Sequence, residues 1–495
     1  MEAEVYEDNS LVLAAEDFEK SEFEQFHYFT AQDKLCISRL RAHGPVLLKG
    51  ARGSGKSALM IEASLGLYPE NNESTVIGIY VSLRHLELLR SSGAKYVELF
   101  CKLVIKEIGT QLDISDLDSD ICTASDLRML LTNLSIERRK RIVLLFDDAA
   151  HIGRETSLSY FFDIFRTLSS NFISCKASIY PGVTKFGTRF DVYNDATVID
   201  VNRHETASDF SNLFVEVLNR RFPDSLSKSK FKDNLTKNEV CKLFGIAVLS
   251  NIRSFIYGCN QLKNSLNGNS VISFNHISDA FKQLSANYFW PLLEEIEPKL
   301  GVYQTMVQPA LEVAQTLFEK AAEKNERSVL ILREIAQHLS KPLEILEYVG
   351  FIARKEVSRA MKSRGRGTRY VLNLCTITEY LDHGRVRQSD CDKWIHFKDE
   401  SVEFHRGSDL FKVKLPEPSE DHDLDILSKN IDVLKKSNAY PYGLTEFMIG
   451  ILHNQGIETL EQLVNTSDDE LLSLPHIGPQ TLKRVRSTVH QAIWM

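Results

Sequence analysis

Residues 45–57 read PVLLK and then GARGSGKS, and this stretch decides the fold. PVLLK is a short apolar strand, the next eight residues fit G-x-x-x-x-G-K-[ST], and the following SALMIEASL has helical periodicity. Strand, glycine-rich loop and helix in that order make a phosphate cradle. The glycines let the backbone wrap an anion, so that successive N–H groups and the helix N-terminus face the negative charge. Lys56 is then placed to reach the β- and γ-phosphates of ATP, and the Ser57 hydroxyl to ligate Mg2+. The nucleotide-binding set read from the motif is Gly50, Arg52, Gly53, Ser54, Gly55, Lys56, Ser57 and Ala58. The plainer reading is a chance glycine-rich turn. With Gly at roughly 7% of residues, a random match in a chain this long has a probability of about one in a hundred.

A P-loop ATPase also needs an acid at the end of a neighbouring strand. Residues 142–148, IVLLFDD, supply five apolar residues and then two carboxylates. Asp147 is expected to hold the Mg2+ water shell and Asp148 to polarise the attacking water. Without the P-loop, two such acids would be read as a turn cap. Further apolar runs at 75–83, 175–180 and 197–201 alternate with helical patterns at 94–108 and 159–172. That alternation predicts a parallel sheet covered on both faces. From about 205 to 297 helical periodicity takes over.

The combination of GARGSGKS, VLLFDDAAH, the CKASIYPG strand and a helical region carrying SNIRSF resembles the AAA+ ATPases. Within them it is most similar to the origin-recognition-complex-like initiators and their bacterial conflict-system relatives, over roughly residues 25–380, a winged helix included. The resemblance implies an α/β P-loop AAA+ core with a parallel sheet and an all-helical lid. It implies that Ser178 or Tyr180 is the polar sensor at the end of the strand after the acids, and that Arg253 is the lid's sensor of ATP. Arg189, nine residues before Val198, stands where the family often places an arginine finger that acts on a neighbouring subunit. One position departs from the family pattern: the second acid is Asp148 where Glu is usual. A carboxylate one methylene shorter points to slow turnover or an ATP-held switch.

Two signals in the C-terminal half suggest duplex DNA as a partner. Residues 311–323 and 328–339 read as helices, followed by KPLEILEYVGFIARK and two strand-like runs around a basic tip, the order of a winged helix-turn-helix. Between Arg354 and Arg369 lie seven cations (Arg354, Lys355, Arg359, Lys362, Arg364, Arg366 and Arg369) and one acid, Glu356. Such one-sided charge fits phosphate contacts. The same hairpin could instead be a solvated or protein-binding surface. Residues 457–490 resemble a helix-hairpin-helix unit similar to the C-terminal domain of the bacterial RNA polymerase alpha subunit. Its turn, Leu474 to Gly478, offers the backbone of Ile477 and Gly478 to a phosphate, with Lys483, Arg484 and Arg486 on the next helix. His476 replaces the usual first glycine of that turn. A protein-docking role is the alternative.

Composition sets the frame. Of 495 residues, 43% are hydrophobic and 25% charged, an ordinary globular balance. No run approaches 18 apolar residues and the first ten are acidic, so neither a membrane span nor a signal peptide is expected. Eight dispersed cysteines without a CxxC point to reduced core thiols and a cytoplasmic protein. His383, Cys391, His396 and His405 match no compact zinc spacing, and Trp394, His396 and Phe397 are read as packing a small strand. The net charge of −8 is carried entirely by residues 1–25, nine acids against Lys20. That segment is either a disordered tail or a partner-binding strip.

The expected units are the acidic segment 1–25, a P-loop AAA+ core 26–204, a helical lid 205–300 and a winged helix 301–382. A small irregular or strand-bearing segment with a linker, 383–423, and a helix-hairpin-helix domain, 424–495, complete them. The function expected is ATP-dependent self-assembly, as a homo-oligomer with sites at subunit interfaces, coupled to DNA binding, in antiviral defence or mobile-element biology. Replication initiation with a helicase partner, or an ATP-switched scaffold for protein effectors, are the alternatives.

Overall fold

The computed structural model describes the chain except for residues 1–13, 68–74, 116, 118–120, 150–154, 182–185, 188, 233–234, 267–269, 396–399, 419–423, 438–442 and 495. Five strands form a parallel sheet: β1 (Val46–Lys49), β2 (Val76–Ser82), β3 (Arg141–Asp147), β4 (Ile173–Ile179) and β5 (Thr197–Asp200), in the order β2-β3-β4-β1-β5. Their sequences are apolar throughout because both faces are covered. Val46, Leu48, Val143 and Leu145 pack against helices Ala31–Arg41 and Lys56–Leu65 on one face. Leu47, Leu144 and Phe146 turn to the other face, where Phe100, Phe161 and Phe165 meet them from helices Gly93–Leu112 and Glu155–Leu168. Successive strand side chains point to opposite faces, and here each face has its own helical layer.

The expected fold class stands. A helical region follows the sheet, with helices Phe210–Arg221, Lys237–Ala247, Ile252–Ser265 and Phe274–Leu284, the last running through a π turn at Ser285–Phe289 into Trp290–Glu295. The winged helix comprises Val307–Glu323, β6 (Ser328–Leu332), Arg333–His338, Ser340–Val349, β7 (Ile352–Ala360) and β8 (Arg366–Leu372). A short β9 (Val402–Phe404) pairs parallel to β6, giving the order β7-β8-β6-β9. The C-terminal unit holds helices Glu446–Asn454, Leu460–Asn465, Asp468–Leu472 and Pro479–Trp494.

Three sequence expectations are corrected. Residues 328–332, SVLIL, are a strand antiparallel to β8 and not the start of a helix. A five-residue run with four apolar residues, buried as far as Ile331 on both faces, carries no period by which to tell the two apart. Trp394 lies fully buried on helix Gln388–Ile395 rather than in a strand, and the strand of that segment is β9; His396 and Phe397 lie outside the described residues. Seven of the eight cysteines are buried, but Cys122 is exposed. Among the described residues no helix is long and apolar enough to cross a membrane.

Candidate nucleotide site and nucleic-acid surfaces

The loop after β1 is shaped by its glycines. Gly53 and Gly55 have φ of +77° and +95°, and Gly55 caps the helix Lys56–Leu65. A Cβ on Gly53 would lie 2.5 Å from Asn251 Oδ1 and 2.8 Å from Arg253 Cβ, so only glycine lets the lid come this close. The N–H groups of Ile252 and Arg253 donate to the Gly53 carbonyl, and the Asn251 amide donates to that of Arg52. The N–H groups of Gly55, Lys56, Ser57 and Ala58 meet no acceptor among the described residues. Four such donors at a helix N-terminus suit an anion. Lys56 Nζ donates to the carbonyls of Gly50 (2.7 Å) and Ala51 (3.1 Å) and lies 4.1 Å above the Tyr180 ring. Burial lowers its pKa to about 8, against the pull of Asp148 and Asp147.

The two acids reach the same corner by different routes. Asp147, the last residue of β3, accepts the Tyr80 hydroxyl (2.8 Å), the Ser178 hydroxyl (2.5 Å) and the N–H of Asp148 (3.0 Å). Burial, then the charges of Asp148 and Glu16, raise its pKa to about 6. Asp148 has φ of +51°, unfavourable for a residue with a Cβ. It accepts Arg84 Nε at 2.5 Å and the Tyr180 hydroxyl at 2.9 Å. Burial would raise its pKa, but Arg84 and Lys56 prevail and hold it below the usual carboxylate range. Ser178 also accepts the Asp148 N–H, so both residues offered as the sensor converge here, Ser178 on the backbone and Tyr180 on the pocket.

Arg52, Ser57, Ala58 and Arg253 line the same pocket as Lys56 and Asp148. Arg253 Nε is buried without a hydrogen-bond partner among the described residues. Ser54 is buried behind the loop, its carbonyl taken by Arg203, which also pairs with Asp33. Arg189 is exposed and does not line this pocket; its carbonyl accepts Arg166 of the helix Glu155–Leu168. Glu16, Asp147 and Asp148 bring carboxylate oxygens within 4.8 Å of one another. Hydroxyl and carboxylate oxygens are the donors a hard cation requires, so Ser57 and the acids fit Mg2+.

Sequence reading missed Glu16, Tyr80, Arg84, Arg203 and Asn251. Tyr80 and Arg84 had a signal, because residues at the carboxyl ends of parallel strands face the ligand crevice. Asn251 stands in the SNIRSF stretch two residues before Arg253, whereas Glu16 had no signal, since it arrives from a distant part of the chain.

The basic surfaces are more occupied than their sequence suggests. On the hairpin, Lys355, Lys362, Arg364 and Arg366 are exposed and Arg354 and Arg359 half-buried. Arg369 is buried, pairing with Glu356 at 2.7 Å and donating to Ser328, so it is not a phosphate contact in this structure. The helix before the hairpin, Ser340–Val349, buries Leu343, Leu346 and Tyr348, and Tyr348 packs on Tyr180 with ring centroids 4.9 Å apart. A winged helix reads the major groove with that helix; here its face is turned into the protein. In the C-terminal unit Ile477 is buried, Gly478 is open, and His476 takes φ of +65° where glycine would be unstrained. Lys483 pairs with Glu19 at 3.1 Å, Arg484 donates to the Gly443 carbonyl, and Arg486 pairs with Asp468.

No family model and no curated protein matches the chain. Solved structures do. The Aeropyrum pernix ORC2 protein (ADPNP–ADP complexes) is 12% identical over 75% of this chain and 97% of its own, at a TM-score of 0.39. The Aeropyrum pernix ORC1 protein in complex with DNA is 12% identical over 78% and 95%, at 0.34. Drosophila ORC bound to GC-rich DNA and Cdc6 gives 12% over 64% and 55%, at 0.31. At these scores the likenesses carry no weight of their own, and the assignment rests on the residues of the site.

Proposed function

We propose that this protein is an ATP-binding, slowly hydrolysing P-loop ATPase of the AAA+ kind that links nucleotide state to duplex DNA binding. The observation that supports this reading is the convergence of four unclaimed N–H donors, the Lys56 ammonium and the Asp148 carboxylate on one pocket, with Asp147 buried next to Asp148. The N–H groups and Lys56 bind the phosphates. Ser57 and Asp147 would hold Mg2+, which would supply charge neutralisation for the phosphates. Asp148 orients water for in-line attack on the γ-phosphorus and accepts its proton, while the bond to the ADP oxygen breaks and ADP departs.

The grip of Arg84 and Tyr180 on Asp148 favours the ATP-held switch over rapid turnover. A carboxylate with both oxygens engaged and a depressed pKa is a weak base. Arg189 acts on a neighbouring protomer, because it is exposed and does not line its own pocket. The experiment measures ATP binding and hydrolysis with and without duplex DNA at two salt concentrations. Absent ATP binding removes the reading. For the finger, Arg189→Ala mixed with Asp148→Asn recovers turnover at mixed interfaces, and mixtures without recovery remove the trans arrangement.

A further inference from the structure

The acidic stretch whose role the sequence leaves open has a defined place from Ala14 onward. Its turn Ala15–Asp17 and helix Lys20–Phe26 lie on the P-loop helix, where Ala15 and Phe23 cluster with Ala58. Three acids within four residues then reach two separate places. Glu16 forms an ion pair with Arg84 Nη2 and lies beside the Tyr80 hydroxyl, each at 3.3 Å, and its second oxygen is buried with no hydrogen-bond partner among the described residues. Asp17 accepts the Ser487 hydroxyl and Glu19 pairs with Lys483, both on the helix that follows the hairpin turn of the C-terminal unit.

A second connection runs alongside. Leu86 and Leu89, just after Arg84, belong to the apolar cluster of the C-terminal unit together with Leu460, Val489 and Trp494. Arg90 pairs with Glu461 at 2.9 Å. The C-terminal unit is therefore fastened to the nucleotide site on both sides of Arg84: directly through residues 86–90, and through the acidic strap.

We propose that residues 14–19 are an internal stand-in for nucleic-acid phosphate, holding Lys483 and Ser487 on the C-terminal helix while keeping the Glu16 carboxylate in the nucleotide site. Duplex DNA bound to that helix releases the strap and opens the site to ATP. The inference rests on the ATP and DNA reading above and adds its regulation. Glu16 stands beside two further carboxylates, so a γ-phosphate entering that corner meets like charge at short range, which is unfavourable even in a partly solvated site. At the other end, the Glu19–Lys483 pair is exposed, individually weak and screened by salt, so a polyanion displaces it readily. Linkage makes the effect reciprocal: whatever DNA does for ATP affinity, ATP does for DNA affinity.

The test uses the full chain, ATP, and a mixed-sequence duplex. Asp17→Asn combined with Glu19→Gln should bind duplex about five-fold or more tighter, and bind ATP more tightly by a similar factor in the absence of DNA. Lys483→Ala releases the strap from the other side, so it should raise ATP affinity while lowering DNA affinity. A strap that merely shields a DNA surface does not produce that opposed pair. Unchanged ATP affinity in both variants overturns the proposal, as does unchanged or weaker duplex binding by the double variant. Melting temperatures verify folding, and the exposed single change Glu19→Gln gives the same reading if the double variant does not fold. Wild-type protein that binds neither ATP nor duplex would remove the underlying reading. Wild-type that binds both, with variants that match it, removes only the strap.

Discussion

At the P-loop the N–H groups of Gly55 to Ala58 meet no acceptor from the described protein, whereas on the hairpin Arg359 and Arg369 both close on Glu356. The same contrast separates Arg253, whose Nε is unmatched beside the pocket, from Lys483, which is held by Glu19 on the C-terminal helix. The nucleotide corner is a preorganised cradle that leaves its donors open. The hairpin proposed to meet DNA is basic in sum, +6 over residues 354–369, but several of its cations already have protein partners. The loop's N–H donors need no rearrangement of their own once the Glu16 carboxylate beside them withdraws, while binding at the second site requires internal contacts to be exchanged for phosphate.

The largest effect expected from breaking this contrast is at Lys56. Lys56→Ala removes the buried ammonium of the cradle, and ATP affinity should fall by a hundred-fold or more in an equilibrium binding measurement. Affinity within a few-fold of wild type would show that the open N–H groups suffice. Next in size, Asp148→Asn keeps ATP binding and should lower single-turnover hydrolysis by about 10²-fold, since an amide cannot accept the proton of water. Hydrolysis at the wild-type rate would assign the base to another carboxylate of the corner, Asp147 or Glu16.

Why the two halves differed in legibility follows from the same contrast. A P-loop is written in eight consecutive residues, because the geometry it needs is that of one backbone turn. The five sheet strands were equally local, as continuous apolar runs between helical patterns. SVLIL failed because so short a run has no period, and Trp394 because its neighbours in sequence do not reveal what covers it. Arg84, Tyr80 and Glu16 reach the acids from 64 to 131 residues away in sequence, so no spacing could group them. Charge was the least legible property: the sequence counts cations, but which of them remain free depends on acids such as Glu356 and Glu19.

A smaller effect concerns pH. Lys56 in the unliganded protein has its pKa lowered to about 8 by burial, and the phosphates bind its charged form. Below that value the ammonium is present at no added cost. Above it, each binding event must take up a proton, so ATP affinity should fall by up to about ten-fold per pH unit. The check is a titration between pH 7 and about 9.5, compared with Lys56→Arg, whose guanidinium stays charged throughout that range. A flat wild-type profile would mean that burial does not perturb Lys56.

The smallest effect sharpens the comparison within the hairpin itself. Arg364 and Arg366 are exposed at its tip, whereas Arg369 is buried against Glu356 and Ser328. Replacing Arg364 and Arg366 with Ala should leave the melting temperature nearly unchanged, because exposed cations contribute little to stability. If both touch phosphate, the slope of log affinity against log salt should flatten by about 1.8, or 0.9 per contact. Arg369→Ala should do the reverse. It strips a partner from Glu356 and leaves Ser328 with one bond fewer, costing about 2 kcal/mol, less than a fully buried pair because Glu356 is 41% exposed. Its salt slope should match wild type, since a buried guanidinium releases no counterions from DNA. A slope that flattens with Arg369→Ala while stability holds would mean that the hairpin opens on DNA and turns Arg369 outward. The pairing with Glu356 would then be a feature of the DNA-free protein, as the pairing of Lys483 with Glu19 is proposed to be.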